Sequence, residues 1–99
     1  MTAYPKIMQV VDKFLGRKNG AKESEAFSTL FMDMFFELSD LLYEELPRDQ
    51  YELLDDMNYT CDLYEKCPAI WGAETFCLDE AQLRSKVESL RDALRRWEA

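Results

Sequence analysis

Carboxylates are the reactive groups this sequence offers in quantity, 20 Asp and Glu against 12 Lys and Arg, with no histidine and three cysteines. Four of them, Asp33, Glu37, Asp40 and Glu44, recur at three- and four-residue spacing. Such a row could suggest a metal strip, but di-metal bundles take Glu-x-x-His pairs from facing helices. With no histidine, a solvated or partner-facing strip is the expected reading. Asp55 and Asp56 could be cast as an acid and base pair. Adjacent positions on a helix point about 100° apart, and no water-excluding cleft is indicated that would separate their roles. Cys61, Cys67 and Cys77 follow no zinc spacing, and a site without histidine would need three thiolates and a carboxylate. No base is at hand to activate Cys67. A histidine-dependent triad is excluded, and Gly16, Gly20 and Gly72 are isolated rather than gathered in a phosphate loop. The expectation is a protein that is not an enzyme and takes no metal and no cofactor.

What the carboxylates can do is attract cations. Residues 1–22 carry five cations and one anion, residues 23–82 two and sixteen, and residues 83–99 five and three. A field of −14 over the middle of a small domain repels a phosphate backbone and attracts basic proteins. The densest part is Leu46 to Lys66. At 100° per residue, Leu53, Leu54, Met57, Cys61 and Tyr64 share one arc, and Asp49, Glu52, Asp55, Asp56 and Asp62 gather on the other. Tyr59 and Leu63 project among the acids. Solvation alone gives no reason for those two, so the helix is read as a contact surface for a cationic partner.

The elements that must hold this surface are all helical. A first helix is expected from about Pro5 to Lys18, with Ile7, Val10, Val11, Phe14 and Leu15 on one arc, stopped by Asn19-Gly20. A second runs from Lys22–Glu23 to Glu45, its arc of Phe27, Leu30, Phe31, Met34, Phe35, Leu38, Leu41 and Leu42 widened by Met32, Phe36 and Tyr43. That width makes it central, with a break near Glu37–Asp40 as an option because Ser39-Asp40 could cap a new turn. Pro47 suits the first turn of the third, acidic helix. In the connection from Cys67 to Leu78, Ile70, Trp71 and Phe76 either plug the end of the bundle or, for Trp71, reach the partner. The last helix opens with Asp79 as N-cap, Gln82 at the capping-box position and Leu78 with Leu83 as a staple. Leu83, Val87, Leu90, Leu94 and Trp97 form its seam.

Four amphipathic helices without a strand signal make an all-α, antiparallel four-helix bundle, with residues 1–99 as a single domain. Hydrophobic residues make up 47% of the chain, which supplies a core and argues against disorder. No apolar run is long enough to span a bilayer, so no membrane association is expected. The first residues lack the order of a signal peptide, so a cytoplasmic protein with reduced thiols is expected.

The order of these features resembles the colicin D immunity family. KFLGRKNGAKESEAF (residues 13–27) is similar to that family's opening motif, although Asn19-Gly20-Ala21 stands where the family carries an isoleucine-like residue. LLDDMNYTCDLYEKCP (53–68) and CLDEAQLRSKVESLRDAL (77–94) are similar to its later helices in the same order. The resemblance spans nearly the whole chain, on loose motifs of apolar spacing with acids at given places. It implies a four-helix immunity protein of bacteriocin or contact-dependent growth inhibition systems. Such a protein binds the C-terminal nuclease domain of a cognate toxin, a basic partner that typically cleaves tRNA, with 1:1 binding expected. By the resemblance Asp55, Asp56 and Asp62 are toxin-binding. Helix geometry adds Glu52, Tyr59 and Glu65, with Tyr59, alone or with Leu63, as the desolvated anchor. Two other readings stay open: a nucleic-acid mimic aimed at a different DNA- or RNA-binding protein, and a helical oligomerisation module.

Overall fold

The computed structural model describes residues 3–16, 21–66 and 80–98. They form four helices: α1 (Ala3–Leu15), α2 (Ala21–Glu45), α3 (Arg48–Lys66) and α4 (Glu80–Glu98). No strand occurs among the described residues. The expected all-α four-helix bundle is what the chain forms. The long dimension of 40 Å is set by α2, whose 25 residues span about 37 Å at 1.5 Å per residue.

The contacts between helices fix an up-and-down order. Glu45, the last residue of α2, accepts a hydrogen bond from the Ala3 backbone N–H through Oε2 at 3.3 Å. A carboxylate there meets the positive end of the α1 dipole, and it places the start of α1 beside the end of α2. At the other end of α1, Arg84 of α4 donates to the Leu15 carbonyl at 2.6 Å and to the Phe14 carbonyl at 3.4 Å. These are carbonyls that a helix leaves without an intrahelical partner. The same guanidinium lies 5.9 Å from the centre of the Phe14 ring. Asp12 pairs with Arg95 and, at 3.8 Å, with Arg91, so the basic residues late in α4 hold α1 as well as suiting their own helix terminus. Between α2 and α3, Ser39 Oγ and the Tyr51 hydroxyl are 3.2 Å apart.

The core is the stripe that each helix turns inward. Ile7, Val11 and Phe14 of α1, Phe27, Phe31, Phe35 and Leu42 of α2, Leu54, Met57 and Cys61 of α3, and Leu83, Val87, Leu90 and Leu94 of α4 are buried. Five ring contacts link these into one chain of aromatics: Phe14 to Phe27 at 4.2 Å, on to Phe31 at 5.9 Å and Phe35 at 6.2 Å, then Tyr51 at 5.7 Å and Tyr43 at 5.3 Å. The four-residue step from Phe27 to Phe31 to Phe35 is the helical repeat that stacks side chains on one face. Cys61 is fully buried among these side chains.

Several sequence expectations change. α1 ends at Leu15 rather than Lys18, with Gly16 completing the turn by donating to the Asp12 carbonyl at 2.9 Å. Pro47 precedes α3 instead of entering it, its carbonyl accepting the Tyr51 N–H at 3.0 Å. The optional break at Glu37–Asp40 does not occur, since α2 runs unbroken to Glu45 and its packed arc holds both halves. Trp97 does not close the α4 seam and is 49% exposed. A straight helix drifts about 20° per seven residues, and two such steps from Leu83 carry position 97 off the packed stripe. Leu30 and Leu41 belong to the α2 apolar arc in sequence but are exposed, as are Phe36 and Tyr43. The arc is wider than its neighbours cover. The Asn19-Gly20 stop, Asp79 and Leu78 of the α4 cap, Cys67, Cys77 and the Cys67–Leu78 connection with Trp71 lie outside the described residues.

Ser28 is fully buried in α2, and its Oγ has no hydrogen-bond partner among the described residues. An unsatisfied buried hydroxyl costs about 1–3 kcal/mol, and alanine is the better helix former by roughly 0.5 kcal/mol. Ser28→Ala is therefore expected to stabilise the bundle by about 1 kcal/mol, read as a rise of roughly 4–8 °C in melting temperature. An unchanged or lower melting temperature would mean that the hydroxyl is satisfied in solution.

Candidate acidic contact face

Charge separates by helix pair. α2 has seven acids and one cation and α3 six and two, a combined −10, whereas α1 and α4 together hold seven cations and five acids, or +2. The bundle order sets α2–α3 against α4–α1. Among the described residues, negative charge is thus concentrated on the α2–α3 side of the molecule.

On α3, the core stripe of Leu54, Met57 and Cys61 turns the opposite arc to solvent. Glu52, Asp55, Asp56 and Tyr59 are all exposed, Tyr59 at 61%. Their spacing of three and four residues puts neighbouring Cβ atoms about 5–6 Å apart, close enough for one basic surface to meet all four. The exposed Arg48 Nε contacts Glu52 Oε1 at 3.1 Å. A pair so open to water constrains little, so Glu52 can be drawn to another cation. Carboxylates in a row accept Lys singly and Arg through both oxygens.

Beside this row lies a groove of about 790 Å³ between α3 and α4. Asp56, Tyr59, Thr60 and Leu63 form one wall. Ala81, Ser85 and Ser89, small residues four apart, form the other and leave the space open. Thr60 is buried at its floor and donates to the Asp56 carbonyl at 2.8 Å. Lys86 of α4 also lines it, so this flank is not purely anionic.

The expected site residues separate into three groups. Glu52, Asp55, Asp56 and Tyr59 come together on the exposed row. Asp62 is half-buried and turns toward α2, where it lines a second groove with Asn58 and Phe36. The side chain of Glu65 lies outside the described residues. Leu63, expected among the acids, is half-buried at the α4 groove instead, because α4 approaches that flank of α3. Among the described residues, no three His, Cys, Asp or Glu side chains converge as metal ligands do, and no helix is long and apolar enough to cross a membrane.

Comparison with protein-family models, with curated proteins and with solved structures finds no match to this chain. Its site therefore has to be read from its own residues. Sequence reading missed two of them, Phe36 at 85% exposure and Tyr43 at 66%. They were placed in the packed arc of α2, yet they point to solvent. Across the groove from Phe36, α3 presents the polar Asn58 and Asp62, a juxtaposition that the periodicity of α2 alone does not report.

Proposed function

We propose that this chain is a cytoplasmic bacterial immunity protein that binds and neutralises a basic nuclease toxin domain, probed best as an RNase acting on tRNA. One observation carries the reading: four neighbouring side chains on α3, three carboxylates and a tyrosine, stand exposed on the −10 side of the bundle. A nuclease must carry a cationic groove for phosphates, and an inhibitor of that groove must offer the opposite charge in matching geometry. The likeness of residues 13–27, 53–68 and 77–94 to colicin D immunity proteins supports the same partner class.

In this mechanism no bond is made or broken by the immunity protein. Asp55 and Asp56, with Glu52, take the positions of phosphates and pair with toxin lysines and arginines. Tyr59 gives up its exposure on docking and supplies the desolvated anchor, a residue type enriched among binding hot spots. Asp62, which faces the α2 groove, extends the contact to that side of the helix. Once the cationic groove is filled, substrate RNA is excluded.

The test is co-purification with the polypeptide encoded immediately upstream, followed by a tRNA cleavage assay with and without this protein. A 1:1 complex that silences cleavage is the expected result. Absence of a complex, or cleavage unaffected at saturation, would remove the immunity reading. Tight binding to unrelated DNA-binding proteins would instead identify a nucleic-acid mimic.

A further inference from the structure

Phe36 and Tyr43 are the most exposed large apolar side chains among the described residues, at 85% and 66%. Seven positions apart on α2, they lie two turns from one another on one line, about 10 Å apart along the axis. They are not isolated. Phe36 rims a groove of about 430 Å³ whose other apolar walls are Met32 and Phe35 of α2. Asn58 and Asp62 of α3 close the far side. Tyr43 packs edge-on against Tyr51 at 5.3 Å, which fixes its ring at the surface end of the aromatic chain.

This aromatic ridge has carboxylates on both flanks. On the outer side run the exposed Asp33, Glu37, Asp40 and Glu44 of α2, and on the other side stand Asp55 and Asp62 of α3. The helix pair that bears the ridge holds three cations, Lys22, Arg48 and Lys66, against thirteen acids.

We infer that the Phe36–Tyr43 ridge and the groove beside it are a docking surface for a cationic protein, which seats an apolar side chain against Phe36 while its lysines and arginines reach the flanking carboxylates. The charge decides between occupants. A second copy would bring its own −10 face against this one, so self-association through the ridge is opposed. A cationic surface with an apolar centre is attracted on both flanks, and Phe36 supplies the apolar contact between them. The proposal rests on the reading of a basic protein partner. It goes beyond it in assigning the apolar anchor of the contact to α2, outside the acidic row of α3.

The probe is the polypeptide encoded immediately upstream, and the variants are Phe36→Ala, Phe36→Leu and Asp55→Lys with Asp56→Lys. Binding is measured over a range of salt concentrations, with circular dichroism and melting temperature confirming that each variant folds. Phe36→Ala is expected to weaken binding about 30-fold or more, the loss of a hot-spot residue, with the salt dependence unchanged. Phe36→Leu should restore most of the affinity. The double lysine variant should lower both affinity and salt dependence, since it removes the screened interactions. If the double variant loses binding while Phe36→Ala stays within twofold of the parent, the ridge is no anchor and the acidic-row reading stands alone. If the parent does not bind the upstream polypeptide, the partner reading falls and the ridge proposal with it. A dimer of the free protein that Phe36→Ala converts to monomer would also overturn the proposal, because the occupant would then be a second copy.

Discussion

Lysine at both position 55 and position 56 is expected to abolish protection against the toxin while leaving the bundle folded. Asp55 and Asp56 are both exposed on α3, so neither substitution disturbs the Leu54–Met57–Cys61 stripe behind them. Exposed substitutions change stability by within about ±0.5 kcal/mol each. Removing two carboxylates from a crowded row also relieves repulsion with Glu52. The formal charge rises from −8 by four, and the centre of the contact face changes sign. Reversing a charge at a desolvated contact costs about 2–5 kcal/mol of binding, a loss of roughly 30- to 5,000-fold in affinity. Circular dichroism and thermal melting should overlay those of the parent, and tRNA cleavage should proceed in the presence of the variant. A double variant that still neutralised the toxin would show that the acidic row of α3 is not what the toxin binds.

The fold was legible because each helix carries its own periodic stripe. Ile7, Val11 and Phe14, or Leu83, Val87, Leu90 and Leu94, need only the 100° step to be placed on one face, and all seven are buried. What periodicity cannot report is how wide a face the neighbours will cover. α2 offers apolar residues over more than half its circumference, and the sequence alone puts Phe36 and Phe31 in the same arc. They are separated by which helix stands opposite. Phe31 faces the centre of the bundle, whereas Phe36 faces the α2–α3 groove, where α3 presents Asn58 and Asp62. The acidic row was legible for the same reason as the core, being the complement of a clear stripe. Asp62 and Leu63 fell away from that row because α2 and α4 approach α3 from its two sides, a fact of packing order rather than of local sequence. Arg84 shows the limit from the other direction. Nothing local to α4 announces that its guanidinium caps α1, 69 and 70 positions away in the chain.

The largest loss of stability is expected from Phe31→Ala. Phe31 is fully buried and stands in the middle of the aromatic chain, 5.9 Å from Phe27 and 6.2 Å from Phe35. Those two rings belong to the same helix and are held by its backbone, so they cannot both close on the void. A truncated buried phenylalanine costs about 3–5 kcal/mol, the lost transfer energy plus the cavity. A domain of this size has about 5–15 kcal/mol to lose, so the melting temperature should fall by on the order of 12–40 °C. Phe31→Leu, which refills most of the volume, should cost less than half as much. The comparison with Phe36→Ala sharpens the test, because it is the same chemical change five positions along the same helix. At position 36 the ring is in water and its removal should leave melting nearly unchanged while weakening partner binding. At position 31 its removal should lower melting steeply, with any loss of binding following only from loss of fold. If Phe31→Ala melted within a few degrees of the parent, α2 would not be the central helix of the core, and the orientation that sends Phe36 to solvent would be wrong as well.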